Sequence, residues 1–258
     1  MELIHQIIII CPLVFFAGIV DSIAGGGGII TLPAYLAAGI PTHMAMGTNK
    51  FAATMGTTTS LARFIKNGKI HWNIAAISVP CALLGSFLGT KAALFLDEQI
   101  LRYILMILLP FAALFVLKGG GLKSEGSEKN IPVKKLLFLA GIAGLFIGAY
   151  DGFFGPGTGT FLIMVFNILL GMDILYASGN AKIVNWASNI ASVTTLLLSG
   201  NVVFLIGIPA AICGIAGNYI GSGLALRGGI KTIRPVLVLV LVLLLTKVGW
   251  DALSGFLA

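Results

Sequence analysis

Charge is scarce in this sequence, and the scarcity decides the solvent. Aspartate, glutamate, lysine and arginine make up 10% of 258 residues against 58% apolar ones, and mean hydropathy is +1.04. A water-soluble domain of this length could not cover its surface with so few charges, so the solvent is lipid. Long hydrophilic stretches are missing too, apart from residues 119–130, which leaves no soluble domain. No ten-residue segments alternate apolar with polar residues, which excludes a β-barrel. With no water to satisfy the backbone, helices remain. Cysteine is limited to Cys11, Cys81 and Cys213, in apolar surroundings and without metal or redox spacing, so the thiols pack and neither metal nor cofactor is expected. No basic residue precedes the apolar stretch 7–20, which reads as a first span and not as a cleaved signal peptide.

What the sequence does hold is a succession of apolar runs with short gaps, residues 104–117, 133–149 and 235–248 among them. At roughly 20 residues per span there is room for about eight to ten crossings. The expected fold is an all-α polytopic membrane protein. A net charge of +7 would suggest nucleic acid in a soluble protein. Here the basic residues sit in short loops, where they report orientation, and the partner is the lipid bilayer.

The chain also repeats itself. DSIAGGGG starting at Asp21 is answered by DGFFGPGTG starting at Asp151, and GTNK ending at Lys50 by GNAK ending at Lys182. The 132 residues from Lys50 to Lys182 also separate Ser60 from Ser192, Gly68 from Gly200, Cys81 from Cys213, Gly85 from Gly217, Gly89 from Gly221 and Arg102 from Arg234. The two aspartates lie two residues closer, so the second copy has two extra residues after its glycine loop. Arg63, Lys66 and Lys69 flank a turn whose counterpart around Gly200 is uncharged, which puts the first turn in the cytoplasm and the second outside. Equivalent turns on opposite sides make the copies inverted, a plan shared by many secondary transporters. The expected division is a first repeat at 1–118, a cytoplasmic linker at 119–131 and a second repeat at 132–258, with both termini outside.

Two features of the repeat carry chemistry. Gly25, Gly26, Gly27 and Gly28, and Gly155, Gly157 and Gly159 with Pro156, interrupt apolar segments at matching points. Lipid tolerates such a break only where protein or a wet cavity surrounds it. The pattern predicts two helical hairpins whose return limbs begin near Ile29 and Thr160. Backbone N–H groups of Gly26, Gly27, Gly28, Gly157, Thr158 and Gly159 then face the membrane centre, which suits an anion. Close helix packing is the alternative use of the same glycines. A nucleotide-type phosphate loop would need a strand, and none is expected.

The second feature is a polar stripe on each of two long helices. Helical spacing from Lys182 gives Asn185, Trp186, Asn189 and Ser192, and from Lys50 gives Ala53, Thr54, Thr57 and Ser60. Asn49 and Asn180 sit within the two lysine motifs. Such stripes face a bundle interior or a cavity, either lining a path or bonding helices together. Asp21 and Asp151 precede the glycine breaks, and at membrane depth a carboxylate must be paired or carry a proton; Lys50 and Lys182 are candidate partners. His43 and His71 fall near membrane boundaries, and Trp72 and Trp250 read as interfacial belt residues.

The segments DSIAGGGGIITLPAYLAAGIP, GTNK, GFFGPGTGTF and GNAK together resemble the TauE/SafE sulfite exporter family of bacterial membrane proteins, over essentially the whole chain. That resemblance implies transport of sulfite, sulfoacetate or a related organosulfur anion across the cell inner membrane. The expected function is accordingly transport of a small anion, export being the direction the resemblance favours, with H+ or Na+ as possible coupling ions. An intramembrane aspartyl protease using Asp21 and Asp151 is the competing reading, although the sequence has no GxGD motif. A serine protease lacks its GxSxG, and a cation channel is opposed by a lysine on each stripe.

Overall fold

The structure, a computed structural model, describes residues 2–97, 100, 132–233, 235, 236 and 239. Among them every regular element is helical: α1 (Glu2–Ala24), α2 (Gly28–Ala37), α3 (Thr42–Lys66), α4 (Trp72–Leu94), α5 (Val133–Phe153), α6 (Thr158–Met164), α7 (Ile174–Leu198) and α8 (Phe204–Gly228). A π-helical turn, Val165–Leu169, extends α6. α1, α4, α5 and α8 are long and apolar enough to cross a membrane. α3 and α7 have 25 residues each, but carry the polar stripes. The chain is a multi-pass helical membrane protein. The span expected at 104–117, that at 235–248 apart from residues 235, 236 and 239, the linker 119–131, the Arg102–Arg234 match and Trp250 lie outside the described residues.

Both copies use the same punctuation. α3 and α7 end at Gly68 and Gly200, with φ of +65° and +74°, the left-handed conformation that closes a helix at least cost in glycine. The two extra residues of the second copy also find a place. α2 starts at Gly28 and is followed by Gly39 (φ +80°), whereas α6 starts at Thr158 and reaches Gly171 (φ +72°) through the π-helical turn.

The α1–α2 segment is a hairpin: Gln6 Nε2, in the first turns of α1, donates to the Ala38 carbonyl just after α2 at 3.0 Å. In the second copy the Tyr150 hydroxyl reaches over the break to the Pro156 carbonyl at 2.7 Å, and its ring packs edge-on to Phe161. The return limbs therefore begin where the glycine runs predict.

Repeated glycines explain the packing. α4 runs parallel to α5, with Ser78, Ala82 and Ser86 opposite Gly144, Gly148 and Gly152. A Cβ at Gly85 or Gly89 would stand 2.1 or 2.0 Å from a carbonyl oxygen of α5. Their equivalents Gly217 and Gly221 approach the α1 carbonyls of Phe15 and Ile19 in the same way, 2.1 and 2.4 Å from the hypothetical Cβ. Gly47 and Gly179 likewise exchange partners: one meets the Asn201 carbonyl, the other the Lys69 carbonyl, each 1.9 Å from its built Cβ. Small residues let backbones approach closely where lipid offers no hydrophobic drive. Gly89→Val is expected to lower stability by about 3 kcal/mol, the upper end of overpacking costs, in a detergent thermal-unfolding assay, because its contact is backbone and cannot yield. Gly214→Ala, whose Cβ meets only ordinary contacts at 3.4 and 3.5 Å, should leave stability unchanged or higher, alanine being the better helix former by about 1 kcal/mol.

Candidate functional site

The two hairpin tips meet. Gly25 turns the chain out of α1 with φ +76°, its N–H donating to the Asp21 carbonyl at 2.6 Å. At Gly25 a Cβ would lie 2.3 Å from the Gly159 backbone, and one at Gly159 would lie 2.5 Å from Gly25 Cα. Thr160 Oγ1 donates to the Ala24 carbonyl at 2.7 Å, tying one tip to the other. Gly26 and Gly157 shape the turns, their carbonyls accepting from Ile29 and Phe161. These backbone contacts leave no room for a side chain, which is why both tips are built of glycine.

α3 and α7 cross beside the tips in opposite directions, Lys50 meeting Asn189 and Thr58 meeting Trp186. Lys50 and Lys182 occupy the same position on their helices and are 4% and 1% exposed. Each lysine pairs with the aspartate of the other copy. Lys50 Nζ lies 2.7 Å from Asp151 Oδ2 and donates to Asn189 Oδ1 at 2.9 Å. Lys182 Nζ lies 3.1 Å from Asp21 Oδ2 and also donates to the Asp21 backbone carbonyl. Ser188 Oγ donates to Asp151 Oδ2 at 2.5 Å, and the Gly27 N–H approaches Asp21 Oδ1 at 3.3 Å. Charges buried this deeply must be paired, and the crossed pairing lets each copy neutralise the other.

Between the tips and the α3–α7 crossing lies a cavity of about 60 Å³. One water needs only about 10–15 Å³ by this measure, so there is room for several waters or one small oxyanion. Of the residues singled out in the sequence, Asp21, Gly27, Gly28, Asn49, Lys50, Thr57, Asp151, Thr158, Gly159, Asn185 and Asn189 line it. Others stand back from the wall. Lys182 sits behind Asp21, Asn180 donates to the Tyr176 carbonyl, and Trp186 Nε1 donates to Thr58 Oγ1 at 2.9 Å. Gly155 of the second glycine run lines it too; Thr31 and Asn218 line the cavity and were not anticipated, nor was Ser188 as a partner of Asp151. For Asn218 there was a usable signal, since an amide inside the apolar α8 run is costly in lipid unless it serves a site.

The boundary histidines are placed away from this centre. His43 Nε2 lies 3.2 Å from the Ala93 carbonyl, and His71 stacks on Tyr176 with ring centroids 4.3 Å apart. Burial lowers the His71 pKa from its usual value, with the nearby Asp173 opposing the shift. Cys11, Cys81 and Cys213 are free thiols.

Half-helices meeting tip to tip, a polar-lined cavity at the junction and two buried ion pairs beside it are features found in membrane transporters. Residues 10–248 match the sulfite exporter TauE/SafE family, and the chain belongs to that family of membrane transporters. It is 33% identical to the protein named "Probable membrane transporter protein YfcA" of Escherichia coli K12, over 98% of this chain and 96% of that one. It is 34% identical to the "Probable membrane transporter protein ORF9" of a Sinorhizobium species, covering 96% and 94% of the two chains. A "Probable membrane transporter protein" of Haemophilus influenzae is 32% identical over 92% of each. No solved structure gives a significant match to the chain.

Proposed function

We propose that this protein exports a small organosulfur anion or oxyanion, such as sulfite or sulfoacetate, across the bacterial inner membrane by alternating access. The anion sits between the hairpin tips. The observation that carries this reading is the cavity itself, where a buried lysine and the backbone of both tips surround a volume fit for a small oxyanion. Lys50 is the direct cationic contact, and Lys182 acts through Asp21. Asn49, Thr57, Asn185, Asn189 and Thr158 supply hydrogen bonds, with the amides of Gly27, Gly28 and Gly159 at the tips. α2 has 10 residues and α6 only seven, so their dipoles add little and the lysines supply most of the positive charge.

The two copies, 1–118 and 132–258, are inverted about the tips, and linker 119–131 joins them on the cytoplasmic side. The antiparallel crossing of α3 and α7 and the exchanged contacts of equivalent glycines favour this plan. Rocking of one copy against the other would expose the cavity to each side in turn. An anion leaving a cell with a negative interior gains about 2.3 kcal/mol per charge per 100 mV. Export is therefore the electrically favoured direction, and uptake would need H+ or Na+.

The protease reading is disfavoured by the same geometry. A catalytic dyad needs two carboxylates sharing one proton, whereas Asp21 and Asp151 each have a lysine of their own. A cation path is disfavoured by the two buried lysines.

The test is counterflow of radiolabelled sulfite and sulfoacetate in proteoliposomes of the purified protein. Saturable exchange inhibited by the unlabelled anion is the expected outcome; exchange no faster than in empty liposomes, for any small anion, overturns the reading.

A further inference from the structure

The two ion pairs are not equivalent. Asp151 is 2% exposed at its side chain and gathers Lys50 at 2.7 Å and the Ser188 hydroxyl at 2.5 Å. Asp21 is 19% exposed, opens onto the cavity, and is held more loosely, by Lys182 at 3.1 Å and the Gly27 amide at 3.3 Å. Lys182 also has a second anchor, the backbone carbonyl of Asp21, which stays in place whatever the carboxyl group does.

Two lysines and two aspartates make the empty site neutral. An anion entering it adds a negative charge where lipid penalises net charge, and it faces a lysine already satisfied by a carboxylate. Resting on the proposed anion transport, we infer that Asp21 is the proton site of this carrier: one proton from water binds the Asp21 carboxylate as the anion binds, while Asp151 stays ionised as the fixed partner of Lys50. Lys182 then turns its charge to the anion without losing its backbone anchor. The site is neutral when empty and neutral when loaded with a monoanion and a proton, so both forms can complete the transport cycle. The coupled carrier forgoes the electrical term, and because anion and proton leave together, an inward proton gradient opposes export, which runs only while the anion's own outward gradient exceeds it.

Few other groups can share this role. The charged groups around Asp21 are Lys182 on α7 and, over the cavity, Lys50 on α3 with Asp151 on α5. α2, α6 and α8 bring only uncharged residues to the cavity wall, Gly28, Gly159 and Asn218 among them.

Anion binding that raises the proton affinity of Asp21 must, by reciprocity, be tightened by protons. The probe is ethanesulfonate, a strong-acid sulfonate that carries no proton of its own in the assay range. Its binding to wild-type protein in weakly buffered detergent should take up close to one proton per anion, read with a pH indicator. Its Kd should fall up to tenfold per unit drop in pH within the window where Asp21 is ionised in the empty site and protonated in the loaded one. Asp21→Asn should bind with a pH-independent Kd. Because that change leaves Lys182 without its carboxylate and threatens folding, the charge-balanced double variant Lys50→Gln/Asp151→Asn is the second arm. It should bind more weakly yet keep the pH slope. Binding by the wild type without proton uptake overturns the inference and leaves anion transport standing, as does a pH slope that survives Asp21→Asn or vanishes in the double variant. No exchange of any anion in the counterflow assay overturns both.

Discussion

Lys50→Gln is expected to lower stability by about 3–5 kcal/mol and to abolish anion exchange, and adding Asp151→Asn restores the first without the second. The single change leaves the Asp151 carboxylate almost fully buried with, among the described residues, only Ser188 for a partner. Breaking a buried pair from one side costs about that much because the remaining charge is uncompensated. Removing both members replaces the pair with two amides that can hydrogen-bond to one another and to Asn189. Thermal unfolding of the three proteins in one detergent, set beside counterflow in liposomes, separates the effects. If the double variant transports like the wild type, Lys50 serves folding alone and is not the anion's contact.

The second large effect is expected at the tips. Gly25→Val should reduce exchange by at least about 100-fold, a loss of roughly 2.7 kcal/mol in transition-state terms, and should destabilise the protein as well. A side chain at Gly25 meets the Gly159 backbone at 2.3 Å, and the residue must hold φ +76°, which a β-branched side chain resists. The tips would have to separate, taking the cavity with them. Gly39→Val is the useful comparison: φ there is +80°, so the backbone penalty is similar, but no atom lies within 4 Å of its built Cβ. Exchange should largely survive at Gly39 and fail at Gly25. Equal losses at both would mean that backbone strain, not the meeting of the tips, is what matters.

Much of this arrangement was legible from the residues. The hairpins could be read because glycine runs interrupt apolar segments, and in lipid an interruption has few tolerable explanations. Prediction put the return limbs near Ile29 and Thr160; they begin at Gly28 and Thr158. The 132-residue offset could be read too, and at two of its matches, Gly85 with Gly217 and Gly89 with Gly221, each glycine admits a neighbouring carbonyl that a larger residue would not. The exchange of partners between the ion pairs could not be read. Each aspartate lies nearer in sequence to the lysine of its own copy, and only the docking of one copy on the other decides which carboxylate reaches which ammonium. The stripe pattern also overreached at Trp186, because helical spacing specifies a face about 100° wide but not which part of it meets the cavity. That indole is instead taken up by Thr58. Asn218 was missed for the opposite reason, being a single amide in a glycine-rich apolar helix with only Ser222 one turn on.

The most direct test of the account is a structure determined with selenite, a heavier relative of sulfite that anomalous scattering can locate. The account predicts one selenium peak between the hairpin tips, with an oxygen within hydrogen-bond distance of Lys50 Nζ. A peak elsewhere in the protein, or an empty cavity at selenite concentrations that saturate exchange, would contradict it.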